Sequence, residues 1–179
     1  FTSGWSDVPD ATGYKLEVST AENFSSFVTN YGPFVITIPE GTPFANRPRN
    51  HVVSGLSPGT TYYFRMKSFN GFGDSSPSAV SSITTVPAAP VVQPASDISD
   101  VAFQANWSSQ SGASHYLLYV SLNNDMSSPF VDGQFVSNSH HPVTGLNANT
   151  SYYYRVKAVN ASGQSGLSSI QQVTTGPSK

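Results

Sequence analysis

The sequence predicts an all-β chain of two tandem β-sandwiches, and three observations predict it. The 179-residue chain repeats itself at the length of a domain, its apolar residues alternate with period two, and Gly and Pro interrupt it at short intervals. Alternation of this kind marks half-buried strands, and closely spaced turn residues limit each strand to a few residues.

The repeat sets the domain boundaries. Phe1, Trp5, Ala11, Tyr14, Leu16 and Val18 match Phe103, Trp107, Ala113, Tyr116, Leu118 and Val120, an offset of 102. From His51 to Asn70 the match is to His141–Asn160 at an offset of 90, with 10 of 20 positions identical. The fall from 102 to 90 places 12 extra residues in the first repeat, between Val28 and His51 and within positions 29–50. A unit of about ninety residues is too long for a solenoid repeat and is a domain in itself. The domains are therefore 1–86 and 87–179.

Each element follows from local pattern. In the first repeat the expected strands are Phe1–Trp5, Tyr14–Ser19, Phe24–Val28, His51–Val53, Thr61–Asn70 and Val80–Thr85. Tyr14, Leu16 and Val18 face one side while Lys15, Glu17 and Ser19 face the other, and Tyr62, Phe64 and Met66 alternate with Tyr63, Arg65 and Lys67. The second repeat has the same elements, preceded by a strand near Val91–Gln93 and a second piece near Asp97–Ile98. No such initial strand precedes Phe1. The first sandwich is therefore expected to lack its initial strand, the sequence to be a fragment, and the exposed sheet edge to be covered by a neighbouring molecule or a loop of the same chain.

Trp5 and Trp107 stand at equivalent strand positions. Leu56, Pro58, Thr60 and Tyr62 form a Leu-x-Pro-x-Thr-x-Tyr pattern, which returns as Leu146, Ala148, Thr150 and Tyr152 with Ala in place of Pro. Asn70-Gly71-Phe72-Gly73 and Asn160-Ala161-Ser162-Gly163 follow the long aromatic strand in each copy. At these residues the chain resembles the fibronectin type III family, twice and over essentially its whole length. The resemblance implies two immunoglobulin-like sandwiches, with Trp5, Leu56, Tyr62, Trp107, Leu146 and Tyr152 as structural residues. Tyr62 and Tyr152 are placed to bury a ring while the hydroxyl bonds nearby backbone, the tyrosine corner of such sandwiches. The Ser-rich, lightly charged composition looks more like bacterial secreted copies than animal matrix ones.

Composition excludes several function classes. Charged residues make up 10% of the chain and the net charge is −2, with no basic block to neutralise phosphates, so nucleic acid is not expected as a partner. No run of eighteen apolar residues spans a bilayer. There is no Cys, which removes disulfides, thiolate catalysis and Cys-based metal sites. The four histidines do not show zinc-ligand spacing: His140 and His141 are adjacent, and on a strand they point to opposite faces. No Gly-x-Ser-x-Gly elbow or facing carboxylate pair is visible. Gly71-Phe72-Gly73-Asp74 joins two strands and lacks the helix N-terminus that makes a glycine loop bind phosphate. No catalytic residue, cofactor or metal is expected.

Two surfaces are candidates for binding. The insertion carries Phe34 and Phe44, and the family places it at the same pole as the loops Ser6–Gly13 and Gly71–Pro77, the latter with Phe72 and Asp74. Binding residues cluster at such loop ends. The other reading is that Val35-Ile36-Thr37-Ile38 is an extra strand or flap packed on the body, because its apolar residues alternate. The second surface is the outward face of repeat two, with Leu117, Tyr119, Tyr153, Arg155 and Lys157. Its tyrosine pair, Tyr119 and Tyr153, can stack on a sugar ring or anchor a partner, and cross-strand aromatic pairs also simply stabilise sheets. The matching residues of repeat one, Lys15, Glu17, Tyr63 and Arg65, are mostly charged. The expected function is a non-catalytic spacer or interaction module of a larger secreted or cell-surface protein, its partners being neighbouring domains. The alternative is a carbohydrate-associated module or adhesin, with a protein or polysaccharide as partner.

Overall fold

The computed structural model describes residues 1–178. The described chain is all-β apart from one 3-10 turn at Phe44–Asn46, and it forms two compact units, Phe1–Thr85 and Val86 onwards.

Unit two shows the complete pattern. Its strands are Val92–Ser96, Ala102–Trp107, His115–Ser121, Val131–Val136, His140–Thr144, Ser151–Asn160, Gly163–Gln164 and Gln171–Thr174, here β8 to β15 in chain order after the seven of unit one. One sheet runs β12-β9-β8; the other runs β11-β10-β13-β14, with β15 also on β13. Alternate residues of β9, β10 and β13 enter the space between the sheets, as period two requires: Phe103, Ala105 and Trp107; Tyr116, Leu118 and Val120; Tyr152, Tyr154, Val156 and Ala158. Tyr154 Oη donates to the Gln93 carbonyl oxygen at 2.5 Å, tying β13 of one sheet to β8 of the other. Burial raises the pKa of that hydroxyl above the ordinary phenol value. Pro94 cannot donate to the ladder, and the β8–β9 register shifts between Gln93 and Ser96. The expected second strand piece at Asp97–Ile98 does not form. Asp97 sits at φ +50 in a bend, and the backbone there turns to let Ser99 N donate to Ala102 O.

Unit one repeats the plan with one layer thinner. Its strands are Thr2–Gly4 (β1), Gly13–Ser19 (β2), Phe34–Thr37 (β3), Asn50–Val52 (β4), Thr61–Asn70 (β5), Gly73–Asp74 (β6) and Ser81–Thr84 (β7). One sheet is β1-β4 alone; the other is β3-β2-β5-β6 with β7 on β5. Its buried core comprises Leu16, Val18, Tyr31, Val53 and Tyr62, with Phe1, Phe34, Phe64 and Met66 only partly buried against them. Phe64 and Met66 stand where Tyr154 and Val156 are fully buried in unit two. The expectation of a covering loop fails: among the described residues, β1 pairs with β4 only, and Thr2 and Gly4 are exposed.

Both corners form alike. Tyr62 Oη accepts the Ser57 N–H at 2.9 Å, and Tyr152 Oη accepts the Asn147 N–H at 2.9 Å. Thr85 and Thr175 hydroxyls donate to the carbonyls of the same Ser57 and Asn147, at 2.7 and 2.6 Å. Leu146 is in the core of unit two, and Leu56 packs against the core of unit one. Trp107 is buried with its ring 5.7 Å from Tyr116, whereas Trp5, 5.3 Å from Tyr14, is half-buried.

The expected strand at Phe24–Val28 does not exist. Asn23 Oδ1 accepts the Ser25 N–H, which curls the chain and holds Phe24 at φ +55. Asp125 and Ser127 form the same turn around Met126, φ +61, so the loop is a shared feature of both units. The strand beside β2 comes later, at β3, where Tyr14 lies opposite Ile36. In unit two Tyr116 lies opposite Val136, an offset of 100 between Ile36 and Val136. Of the 12 extra residues, the step from 102 to 100 precedes β3 and the larger step, from 100 to 90, falls between β3 and β4. Val35-Ile36-Thr37 is therefore no extra strand but the counterpart of β11. The addition is chiefly the segment from Ile38 to Arg49.

Candidate binding surfaces

The strap from Ile38 to Arg49 crosses the pole of unit one because its two ends are pinned there. Ile38 N donates to Thr12 O at 2.9 Å, and Arg49 O accepts the Trp5 N–H at 3.0 Å. Between them Arg47 and Arg49 reach Asp7, at 3.9 and 3.5 Å, and that carboxylate is only 2% exposed. Tyr14 Oη also donates to Asp7 and accepts the Val8 N–H at 2.9 Å. Burial, then the bond to Asp7, pushes the Tyr14 pKa up. Phe44 is 56% exposed, with the Arg47 and Arg49 guanidinium carbons 5.7 and 5.3 Å from its ring centre. Arg49 also donates to the Phe44 and Ala45 carbonyls, which fixes the 3-10 turn. The roles of Asp7, Arg47 and Arg49 are not visible in the alternation pattern. The available signal is two arginines inside an insertion and an acid in the loop it must cross.

Phe72 stands at the same pole and is wholly exposed, at 102%. Beside it lies a cleft of about 280 Å³ lined by Val8, Pro9, Phe69, Asn70, Phe72 and Asp74. Asp74 is not a free carboxylate: Lys15 Nζ donates to both its oxygens, at 2.7 and 2.8 Å, and lies 5.4 Å from the Phe69 ring centre.

Phe34 is not at this pole. It lies on β3, half-buried, with its ring 4.2 Å from His51 and 5.6 Å from Tyr31. The three rings line a groove of about 450 Å³ between the edges of β3 and β4. A groove of about 240 Å³ recurs in unit two, lined by His141 but with Gln134 at the position of Phe34. The recurrence of His51 and His141 thus reflects a shared strand position. Among the described residues no group of three His, Asp or Glu is disposed to hold a metal ion.

The outward face of the larger sheet differs between the units at Lys15 and Glu17, whose counterparts in unit two are Leu117 and Tyr119. In unit one Glu17 lies opposite Arg65 and receives Arg65 Nε at 2.5 Å and Lys67 Nζ at 3.1 Å. Burial opposes the charge on Glu17, but the hydrogen bonds from Arg65 and Lys67 outweigh it and hold its pKa below the ordinary carboxylate value. Arg65 is further stacked on Phe24, 4.0 Å from the ring centre. In unit two Tyr119 lies opposite Arg155 in the same register, so the cations recur as Arg155 and Lys157 while the acid does not. Tyr153 is diagonal to Tyr119, opposite Ser121. Gly133, at φ +73, forms the bulge opposite Tyr119, whose ring lies beside it.

The candidate residues therefore fall into three places: Phe44, Phe72 and Asp74 at the pole of unit one, Phe34 in its side groove, and Tyr119 with Tyr153 on the sheet face of unit two.

Comparison with known proteins agrees with this architecture. The fibronectin type III domain model matches residues 4–84 and again residues 89–174. The Kelch domain-containing protein SSO1033 of Saccharolobus solfataricus is 29% identical over 168 residues, covering 92% of this chain and 21% of that protein. The chain thus spans about a fifth of the length of this curated relative. Among solved structures, the crystal structure of FN3tt is 28% identical, with a TM-score of 0.45, and matches 100% of that chain and 53% of this one. The crystal structure of chicken CNTN1 FN1-FN3 domains is 19% identical, with a TM-score of 0.42, and matches 92% of this chain and 54% of that one. Such modules are typically non-catalytic parts of larger proteins. With both of its units matched, this chain belongs to the fibronectin type III family as two modules in tandem.

Proposed function

We propose that the chain is a spacer and interaction segment of a larger secreted or cell-surface protein, setting the distance and orientation of the domains on either side of it. The observation that carries this reading is the pairing of two units, each with its own core, through Val86-Pro87-Ala88-Ala89-Pro90. Two prolines in five residues restrict φ and favour an extended, semi-rigid connection. The relative supports a setting inside a longer polypeptide, since the matched stretch is 21% of a protein named for a different domain. Three of the ten acidic side chains have structural partners: Asp7 holds Tyr14 and the strap, Glu17 holds Arg65 and Lys67, and Asp74 holds Lys15. Small-angle X-ray scattering of the isolated chain tests the reading. The expected profile fits one arrangement of the two units; a profile that requires freely reorienting units counts against a spacer.

A second reading, as a carbohydrate-associated module or adhesin, is favoured by the exposed Phe72 beside its cleft and by the aromatic groove at Phe34. A glycan array and binding to cell-wall polysaccharide test it. The expected result is retention that is lost on Phe72→Ala or Phe34→Ala; no retention removes the sugar version.

A further inference from the structure

The two units supply a comparison that neither supplies alone. Each places an Arg and a Lys two residues apart on the outward face of its longest strand, Arg65 with Lys67 and Arg155 with Lys157. In unit one a carboxylate lies between them and accepts from both. In unit two the position of that carboxylate is Tyr119, and the cations are left without one. Among the described residues, the carboxylates in ion pairs are Asp7, Glu17 and Asp74, all in unit one. The nearest acid by register, Asp132, lies opposite Tyr119 on the strand beyond and pairs with neither cation. Lys157 makes a single hydrogen bond to the neutral Gln164, at 3.2 Å. Arg155 Nε is buried and has no hydrogen-bond partner. A buried donor left unmade costs about 1–3 kcal/mol, so a group that accepts hydrogen bonds is favoured here.

The surroundings narrow what that is. The same face carries Leu117, Tyr119 and Tyr153, with Phe135 59% exposed and stacked on His115, ring centres 4.5 Å apart. Tyr, Phe and Arg are the residue types enriched in protein–protein contacts, and Tyr and Arg dominate their energetics. A polysaccharide can present carboxylates and ring faces but has no apolar side chain to cover Leu117 and Phe135. A polypeptide has both.

We propose that the outer sheet face of unit two docks an acidic polypeptide, whose carboxylate takes, between Arg155 and Lys157, the place that Glu17 fills in unit one. Unit one supplies the acceptor itself as Glu17, whereas unit two has Tyr119 at that position, so the binding capacity of the pair belongs to unit two. This goes beyond a spacing role and gives the segment a partner of its own.

The test uses the 179-residue chain. Fluorescein-labelled poly-L-glutamate is titrated at low and high salt, with polygalacturonate as the polyanion that lacks side chains. Two variants are compared with the parent. Tyr119→Glu installs the counter-ion of unit one and fills the site from within, and Arg155→Gln removes the charge. The expected result is saturable, salt-sensitive binding of poly-L-glutamate that weakens at least tenfold in both variants, with their thermal unfolding midpoints unchanged or, for Tyr119→Glu, raised. If one variant does not fold, the other decides. Three results overturn the proposal: no saturable binding of poly-L-glutamate at low salt, equal affinity in parent and folded variant, or polygalacturonate binding as tightly with the same sensitivity to the variants. The last assigns the face to acidic polysaccharide instead.

Discussion

Glu17 shows how one side chain settles the character of a surface. It is 6% exposed and tolerates burial only because Arg65 and Lys67 bond to it. Replacing it by Gln removes the charge and leaves Arg65 and Lys67 with a weaker acceptor, a loss of about 1–3 kcal/mol. The pH dependence follows from the lowered pKa. The stability it contributes is fully present above the ordinary Glu value of about 4.3 and is lost as pH falls through the lower folded value. Chemical denaturation at about pH 6 and pH 3 checks this: the parent should lose more stability on acidification than Glu17→Gln, and equal losses would show that the pair contributes nothing.

At the scale of elements, the strap and β3 carry the two aromatics that the sequence places in one insertion, and the structure separates them. Phe34 packs against the core with Tyr31 and His51, so Phe34→Ala should destabilise unit one by on the order of 2 kcal/mol, less than a fully buried Phe because one side is open. Phe44 is held from outside by two arginines, and Phe44→Ala should cost under about 1 kcal/mol. Urea midpoints of the two variants measure the difference, and equal midpoints would contradict the assignment. The long strands β10 and β13 are legible in the sequence because alternation and burial agree in them; β2 and β5 are legible from alternation alone, since Glu17 and Ser19 are buried in β2 and only Tyr62 is buried in β5. Phe24–Val28 was misread because Phe, Val and Ser suit a strand by composition, while the turn made by Asn23 depends on a side chain bonding its own backbone. Leu56 and Tyr62 and their counterparts Leu146 and Tyr152, with Trp107, lie in or against the two cores and corners, which the repeat makes visible, while Trp5 packs on Tyr14 outside the main cluster. The exchange of Glu17 for Tyr119 is half legible: the repeat aligns the two, but only the register shows that both oppose an Arg.

For the whole molecule, the two cores differ in size. Unit two buries fourteen residues in its main cluster against five in unit one, and β8 covers a face that in unit one is left partly open. The amides of β13 should therefore stay protected from hydrogen exchange to higher denaturant than those of β5, as the buried apolar area dictates. Loss of protection in both strands at the same denaturant concentration would mean that the units unfold as one.

The central claim, that the pair holds a set spacing, is tested most directly by a distance across it. The chain has no Cys, so Thr20→Cys and Asn124→Cys, both at exposed positions, accept spin labels uniquely. Electron–electron double resonance should give one narrow distance distribution, which broadens when Pro87 and Pro90 are both replaced by Gly. A distribution already broad in the parent, and unchanged by the glycines, would contradict the account.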